Sequence, residues 1–257
     1  MRHPFSLLIS DLRARIQGPG LGADLARGAT GALVTRVGGT GIAFAMQVAL
    51  ARLLGVDAYG AFIYVFTWMQ VLALITLIGG EQTLVRYLAA YRSQAAFEHM
   101  RGLLRASFLA VLAVSAATAL AGAGVVLRAP LSAELARTFY LGFLALPFLA
   151  LTGVNRGALR GLKRPTRALF PELVLRPLLV LALAGAGFWA LGWGPTAPRA
   201  MGMYLTAAAA ATALGMVWLG RELPAEVGGS RPRFLPRVWL AMAVPALVMS
   251  GMNTILK

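Results

Sequence analysis

The 257-residue chain has no cysteine, two histidines and nine acidic residues. Without cysteine there is no disulfide, no thiolate nucleophile and no cysteine metal site. His3 lies in the N-terminal stretch and His99 in a polar connector, too far apart in sequence character to suggest a shared metal. The acids are scattered and no pair in a connector has metal-motif spacing, so metal-dependent or general-base chemistry has no visible seat. No catalytic residue and no cofactor is expected. Charge is scarce as well. Only 13% of residues are charged and 59% are hydrophobic, with mean hydropathy +0.74. A soluble domain carries about 25% charged residues, so this composition belongs to the membrane class.

What the chain does have is long uncharged runs. Ala58–Gly80, Ala106–Leu127, Thr138–Asn155, Pro177–Pro198, Ala200–Gly220 and Val238–Leu256 contain 18 to 23 residues each. A bilayer core of ~30 Å needs about 20 helical residues. A further span fits Thr30–Leu50 if Arg36 is accepted inside it. Lipid satisfies no backbone hydrogen bonds, so helices are required, and the ten-residue alternating strands of a membrane barrel are absent. The expectation is an all-α membrane bundle of about seven transmembrane helices.

The net charge of +15 would suggest nucleic acid in a soluble protein. Its distribution argues for topology instead. If the N-terminus is cytoplasmic, seventeen Lys and Arg fall in inner segments and four in outer loops. That follows the positive-inside rule and favours anionic inner-leaflet lipid as the partner of the basic surface, with no nucleic-acid role. The opening "MRHPFSLLISDLRARIQ" has an apolar core of about five residues, short of a secretory h-region of ~7–15. Residues 1–29 therefore read as a cytoplasmic segment and 30–220 as a six-helix bundle. The Pro/Gly-rich stretch 221–237 reads as a cytoplasmic linker between two helical bundles, and 238–257 as a seventh helix. Because that helix reaches the chain end at Lys257 with no cap, the sequence reads as the N-terminal part of a longer protein. Along Glu81–Arg105, Leu84, Leu88 and Tyr91 recur at helical spacing. This predicts an extension of the second span followed by an interfacial helix.

Polar residues left inside the spans are the candidates for function, since an arginine at a helix centre costs about 2.5–3.5 kcal/mol. Arg36, Thr40, Ala43 and Gln47 share one helix face over ~16 Å. Two readings stand: Arg36 lines a wet cavity that receives an anion, or it snorkels to the inner headgroups. In "FPELVLRPLL", Glu172 and Arg176 are spaced i,i+4 in the favourable order. They form either an interfacial ion pair or a second charged contribution to the cavity. Gln70, Thr67 and Thr76 line the cavity or bond between helices. Pro147 with Asn155, and Pro245 with Asn253, either break helices and expose carbonyls or sit at tolerated kinks. "GGEQTLVRY" places Glu81, Gln82 and Arg86 at the inner mouth, as a gate or as a solvated helix end. The candidate cavity-lining set is thus Arg36, Thr40, Gln47, Gln70, Asn155 and Arg176, with Glu81 and Arg86 as gate.

Several of these stretches resemble a known family. "ARLLGVDAYGAF" is similar to the first outer loop of polysaccharide flippases of the multidrug/oligosaccharidyl-lipid/polysaccharide (MOP) superfamily, roughly A-R-x-L-G-x-x-x-Y-G. Ala51, Arg52, Leu54, Gly55, Tyr59 and Gly60 match it. "LVRYLAAY" resembles the segment after their second span, and "RGLKRPTRALFPELVLRPLL" their connector between spans four and five. "TRVGG" looks like the arginine-bearing start of the peptidoglycan-precursor branch. The resemblance implies two pseudo-symmetric bundles of twelve to fourteen spans in all, in the cell inner membrane. It implies alternating-access transport of an undecaprenyl-diphosphate-linked oligosaccharide, with a polysaccharide polymerase as a partner. Arg36 matches the branch's cavity arginine; Arg176 has no such counterpart. The sequence departs from the pattern by stopping in its seventh span. A multidrug cation antiporter of the same superfamily is the alternative, disfavoured by the lack of an acid in the first two span cores. A membrane-embedded transferase is a further alternative, disfavoured by the scattered acids.

Overall fold

In the computed structural model, residues 21–77, 80–235 and 239 are described, with side chains from residue 30 onward. Their regular structure is entirely helical. Helix α1 (Leu21–Thr76) is 56 residues long, about 84 Å if it were straight at 1.5 Å per residue, more than twice a bilayer core. It is two spans joined at Gly55, whose φ of 74° and ψ of 178° break the helix. That region is open to glycine at little cost and strained for other residues. The expected first loop is therefore a one-residue bend, beside which Asp57 and Val56 are exposed.

The other elements follow in order: α2 (Gly80–Ser93), α3 (Phe97–Arg128), α4 (Ala133–Gly161), α5 (Pro165–Ala190), α6 (Ala197–Glu222) and a short α7 (Ala225–Gly229). Among the described residues α1, α3, α4, α5 and α6 are long and apolar enough to cross a membrane. With the bend in α1 they make six spans. The expected seventh helix lies outside the described residues, apart from Trp239.

Two spans differ from their expected bounds for one reason. Charged residues mark the ends of uncharged runs, but here paired charges are carried inside the helices. The fourth span extends to Gly161 and includes Arg156 and Arg160. The fifth starts at Pro165, well before Pro177, and contains Glu172 and Arg176. The expected interfacial helix after the second span is absent: Phe97–Arg105 is the start of α3. The stripe Leu84–Leu88 of α2 is fully buried. Helix α4 runs through Pro147 unbroken. The irregularity falls instead in α5, where Pro171–Leu175 and Gly185–Ala190 are wider π turns. Arg176 N–H reaches back five residues to the Pro171 carbonyl. Pro177 has no N–H to return to the Leu173 carbonyl, so the regular ladder cannot close there.

Helices α4 and α6 are central, burying 44% and 50% of their apolar stretches against 17% for α1 and α3. The core forms two clusters. One holds Leu50, Phe62, Met69, Phe143, Val180 and Tyr204. The other holds Leu84, Leu88, Met100, Val154, Leu159 and Leu219. Between them, on α1, α4, α5 and α6, lie buried or half-buried polar residues: Thr76, Thr152, Asn155, Arg156, Glu172, Arg176 and Thr212. Large apolar side chains such as Leu33, Val37, Phe44, Leu109 and Leu120 are exposed on α1 and α3. A lipid environment suits such a surface, and the chain is a multi-pass membrane protein.

Close approach at glycine seats the helices. A Cβ on Gly39 would lie 2.6 Å from Leu173 Cβ and 2.8 Å from its carbonyl oxygen, so α1 rests directly on the π turn of α5. Gly31 meets Thr166 one step earlier, which makes α1 and α5 parallel neighbours. Gly38 faces open space. Gly39→Ala is expected to cost about 1–3 kcal/mol through overpacking against backbone, whereas Gly38→Ala is neutral or slightly stabilising. Thermal denaturation of the two variants in detergent checks this.

Candidate functional site: an arginine clamp at one end of the bundle

The sequence "GVNRGALRG" places Gly153, Gly157 and Gly161 four residues apart on one face of α4. Small residues at this spacing let helices approach closely in a membrane. Here Gly153 faces the end of α1, where an added Cβ would be 2.5 Å from Leu77. A Cβ on Gly157 would lie 2.9 Å from the Glu81 carbonyl oxygen, and one on Gly161 3.0 Å from the Leu84 carbonyl oxygen. This seam brings α2 against α4. It sets Glu81, in the first turn of α2, beside the residues that precede two of those glycines, Arg156 and Arg160.

Arg156 is the hub. Its Nε donates to Glu81 Oε1 at 3.0 Å and its Nη2 to Glu81 Oε2 at 2.6 Å, a bidentate pair. Its Nη1 donates to Glu172 Oε2 on α5. Arg160 Nη1 adds a bond to Glu81 Oε1 at 2.9 Å. Arg176 approaches Glu172 Oε1 at 3.7 Å, an ion pair without a tight hydrogen bond. Its guanidinium carbon also lies 5.4 Å from the centre of the Tyr204 ring on α6, within cation–π range. Two carboxylates thus face three guanidiniums, leaving one net positive charge. The cluster joins α2, α4, α5 and α6, roughly one to two turns from the bundle end.

Beside it, α4 and α6 share a buried polar contact. Thr152 and Thr212 hydroxyls are 2.9 Å apart, and Asn155 Nδ2 donates to the Thr212 carbonyl at 3.3 Å. Gly215 leaves the space Asn155 occupies. At the same end, Glu222 of α6 is bracketed by Arg164, at 2.8 Å, and Arg167 of α5. Both arginines are half exposed, so each pair is worth at most about 1 kcal/mol. At the opposite end the Glu134 carboxylate accepts from Ala197 N–H at 3.1 Å, capping α6 from α4.

The candidate residues separate into three groups. Glu81 and Arg176 meet in the cluster, through Glu172 and Arg156. Asn155 is buried, 2% exposed, between α4 and α6. Arg36, Thr40, Gln70 and Arg86 are exposed and Gln47 is half-buried, all outside the cluster. Thr40 returns its hydroxyl to the Arg36 carbonyl at 2.8 Å. Thr67 does the same to Ile63, and buried Thr76 donates to Ala73. Arg36 precedes Gly39 by three residues, so it flanks the α1–α5 seam one turn away. Pro245 and Asn253 lie outside the described residues. Arg156 as the hub is not visible from composition. The two four-residue glycine intervals, each ending just after an arginine, are the signal that points to it.

Residues 25–245 match the family described as "Polysaccharide biosynthesis protein". No curated protein sequence matches the chain. Two solved structures share the fold. One is a MOP superfamily transporter from Pyrococcus furiosus, described as having a binding pocket of reverse polarity, with TM-score 0.62 and 16% identity. The match covers 91% of this chain and 53% of that one. The other is an outward-facing multidrug resistance MATE family transporter of the MOP superfamily, with TM-score 0.62 and 13% identity over 90% of this chain and 54% of that one. At such identities the likeness is one of fold, and the chain spans about half the length of either transporter.

Removing Arg156 leaves two carboxylates facing each other with only Arg160 and Arg176 on their flanks. Arg156→Gln is expected to destabilise the bundle by about 3 kcal/mol, the low end for breaking a buried pair, because Arg156 keeps 26% exposure. Adding Glu172→Gln should restore part of that loss. Melting temperatures of the single and double variants in detergent read both effects.

Proposed function

This chain belongs to the polysaccharide biosynthesis protein family of the MOP superfamily, and on that premise we propose that it forms one bundle of a lipid-linked oligosaccharide flippase. The substrate is an undecaprenyl-diphosphate-linked oligosaccharide, moved from the inner to the outer leaflet of the cytoplasmic membrane by alternating access. The observation that carries this reading is Arg36. It is a permanent cation on α1, exposed on a flank of the α1–α5 seam, with Thr40 and half-buried Gln47 on the same stripe. The family match is to polysaccharide biosynthesis, and the cargo proposed for such a cation is a headgroup bearing phosphate.

The barrier to be lowered is that of a charged headgroup crossing lipid. Fixed guanidinium and water replace bulk hydration, so no covalent chemistry is needed. Because the chain spans about half of each solved transporter, a second bundle is required to close the cavity that Arg36 would line. Opening on either side is then a population shift between two packings of the bundles. The end that carries the arginine clamp is the cytoplasmic one in this reading, since the basic connectors collect there, and the N-terminus lies on the same side. A polysaccharide polymerase would consume the delivered product. Cation antiport is the weaker reading. Between residues 30 and 76 the one carboxylate is Asp57, exposed beside the Gly55 bend and away from the helix middles.

The test is reconstitution of the full-length protein in proteoliposomes with a fluorescent lipid-linked oligosaccharide. Arg36→Ala is expected to slow translocation about tenfold, equivalent to ~1.4 kcal/mol, while Arg36→Lys stays within about threefold. Both variants should melt as the wild type does, since Arg36 is exposed. An Arg36→Ala protein that transports at the wild-type rate would overturn the proposal.

A further inference from the structure

A second basic feature lies on α3. Arg101, Leu104, Arg105 and Phe108 follow one face of α3 at intervals of three and four residues. With Leu219 and Leu223 of α6 and the Pro224–Gly228 turn of α7 they enclose an open cleft of about 350 Å³. Its chemistry is graded. The two guanidiniums belong to the first turns of α3, at the bundle end, and Phe108 lies deeper. Across the cleft, Leu219 is deeper and Leu223 ends α6. Among the described residues no carboxylate is in its lining; Glu226, in the same turn, is not part of it. Arg101 is anchored, donating Nη1 to the Ser230 carbonyl, which holds the segment after α7 in place and leaves its other N–H groups free to donate. Arg105 is exposed and, among the described residues, in no ion pair. Gly220 and Gly228 line the cleft and have open space where a Cβ would stand, so the opening is kept wide by missing side chains.

We propose that this cleft binds an anionic glycerophospholipid of the surrounding leaflet, with its phosphate on Arg105 and Arg101 and its first acyl methylenes along Leu104, Phe108 and Leu219. Free inorganic phosphate would use only the charged end and leave the apolar walls wet. A zwitterionic lipid would fill the walls but bring a choline cation to two guanidiniums. An anionic lipid satisfies both ends. The site is separate from the proposed translocation path, and its occupant is a resident lipid that ties α3 to α6 and α7 across the bundle surface.

The full-length protein in detergent is titrated with dioleoyl phosphatidylglycerol, dioleoyl phosphatidylcholine or inorganic phosphate, and its melting temperature is followed. Phosphatidylglycerol is expected to give a saturable rise that the other two do not, as ligand binding to the native state requires. Arg105→Gln should weaken the apparent affinity about tenfold. Gly220→Leu, which fills the cleft from a position with free space and favours the helix, should abolish the shift while leaving the lipid-free melting temperature at or above wild type. An equal rise with phosphatidylcholine or phosphate, no rise with phosphatidylglycerol, or wild-type lipid affinity in both variants overturns the proposal. Should Gly220→Leu fail to fold, Arg105→Gln alone decides.

Discussion

An arginine half-buried near the end of a membrane helix must find counter-charges or leave the membrane, and this bundle is arranged around that requirement. Arg156 holds Glu81 with two nitrogens and Glu172 with a third. The carboxylates come from α2 and α5, on either side of α4. The contact is possible because Gly157 lets the backbone of Glu81 come within van der Waals range of α4. Any larger residue there would push α2 away and open the bidentate pair. Packing and charge pairing are therefore one constraint: small residues set the distance, and the distance makes the ion cluster affordable in a low-dielectric surrounding.

The cluster also organises what lies around it. It occupies the boundary between two apolar cores, with the Thr152–Thr212 and Asn155 contacts beside it. A polar layer between two cores fixes the vertical register of α4, α5 and α6, because sliding α4 or α5 would unpair a charge and sliding α6 would part Thr212 from Thr152 and Asn155. Arg176 extends the layer to α6 through the Tyr204 ring. The partners of Glu81 are residues of the same bundle, which makes this end of the bundle a stiff unit. Arg36 stands apart from this layer, exposed and, among the described residues, in no ion pair.

Much of the fold was legible in composition. Uncharged runs located the spans through α6, whereas "ARLLGVDAYGAF", read as an outer loop, is a bend at Gly55. The helix ends were misplaced wherever a charge was taken as a boundary. Glu172, Arg156 and Arg160 all lie within helices because their charges are neutralised by one another, and a single-sequence reading has no means to see a partner 75 residues away. The Glu172–Arg176 pairing was visible from its i,i+4 spacing, yet it is the looser contact, at 3.7 Å. The stronger partner of Glu172 is on a different helix. Of the two readings of Pro147, a break or a tolerated position, the helix takes the second, while the π turn falls inside α5 where Pro171 and Pro177 bracket it.

The sequence by itself determined that the chain crosses a membrane as helices, because apolar length and the need for internal hydrogen bonds leave no other solution. It also determined the family, through local motifs that need no tertiary contact to be read. Only the tertiary structure decided which ionisable groups neutralise one another and which stay exposed. That choice depends on interhelical distances of a few ångströms, set by where glycines fall on facing surfaces, and such distances are a property of two helices together.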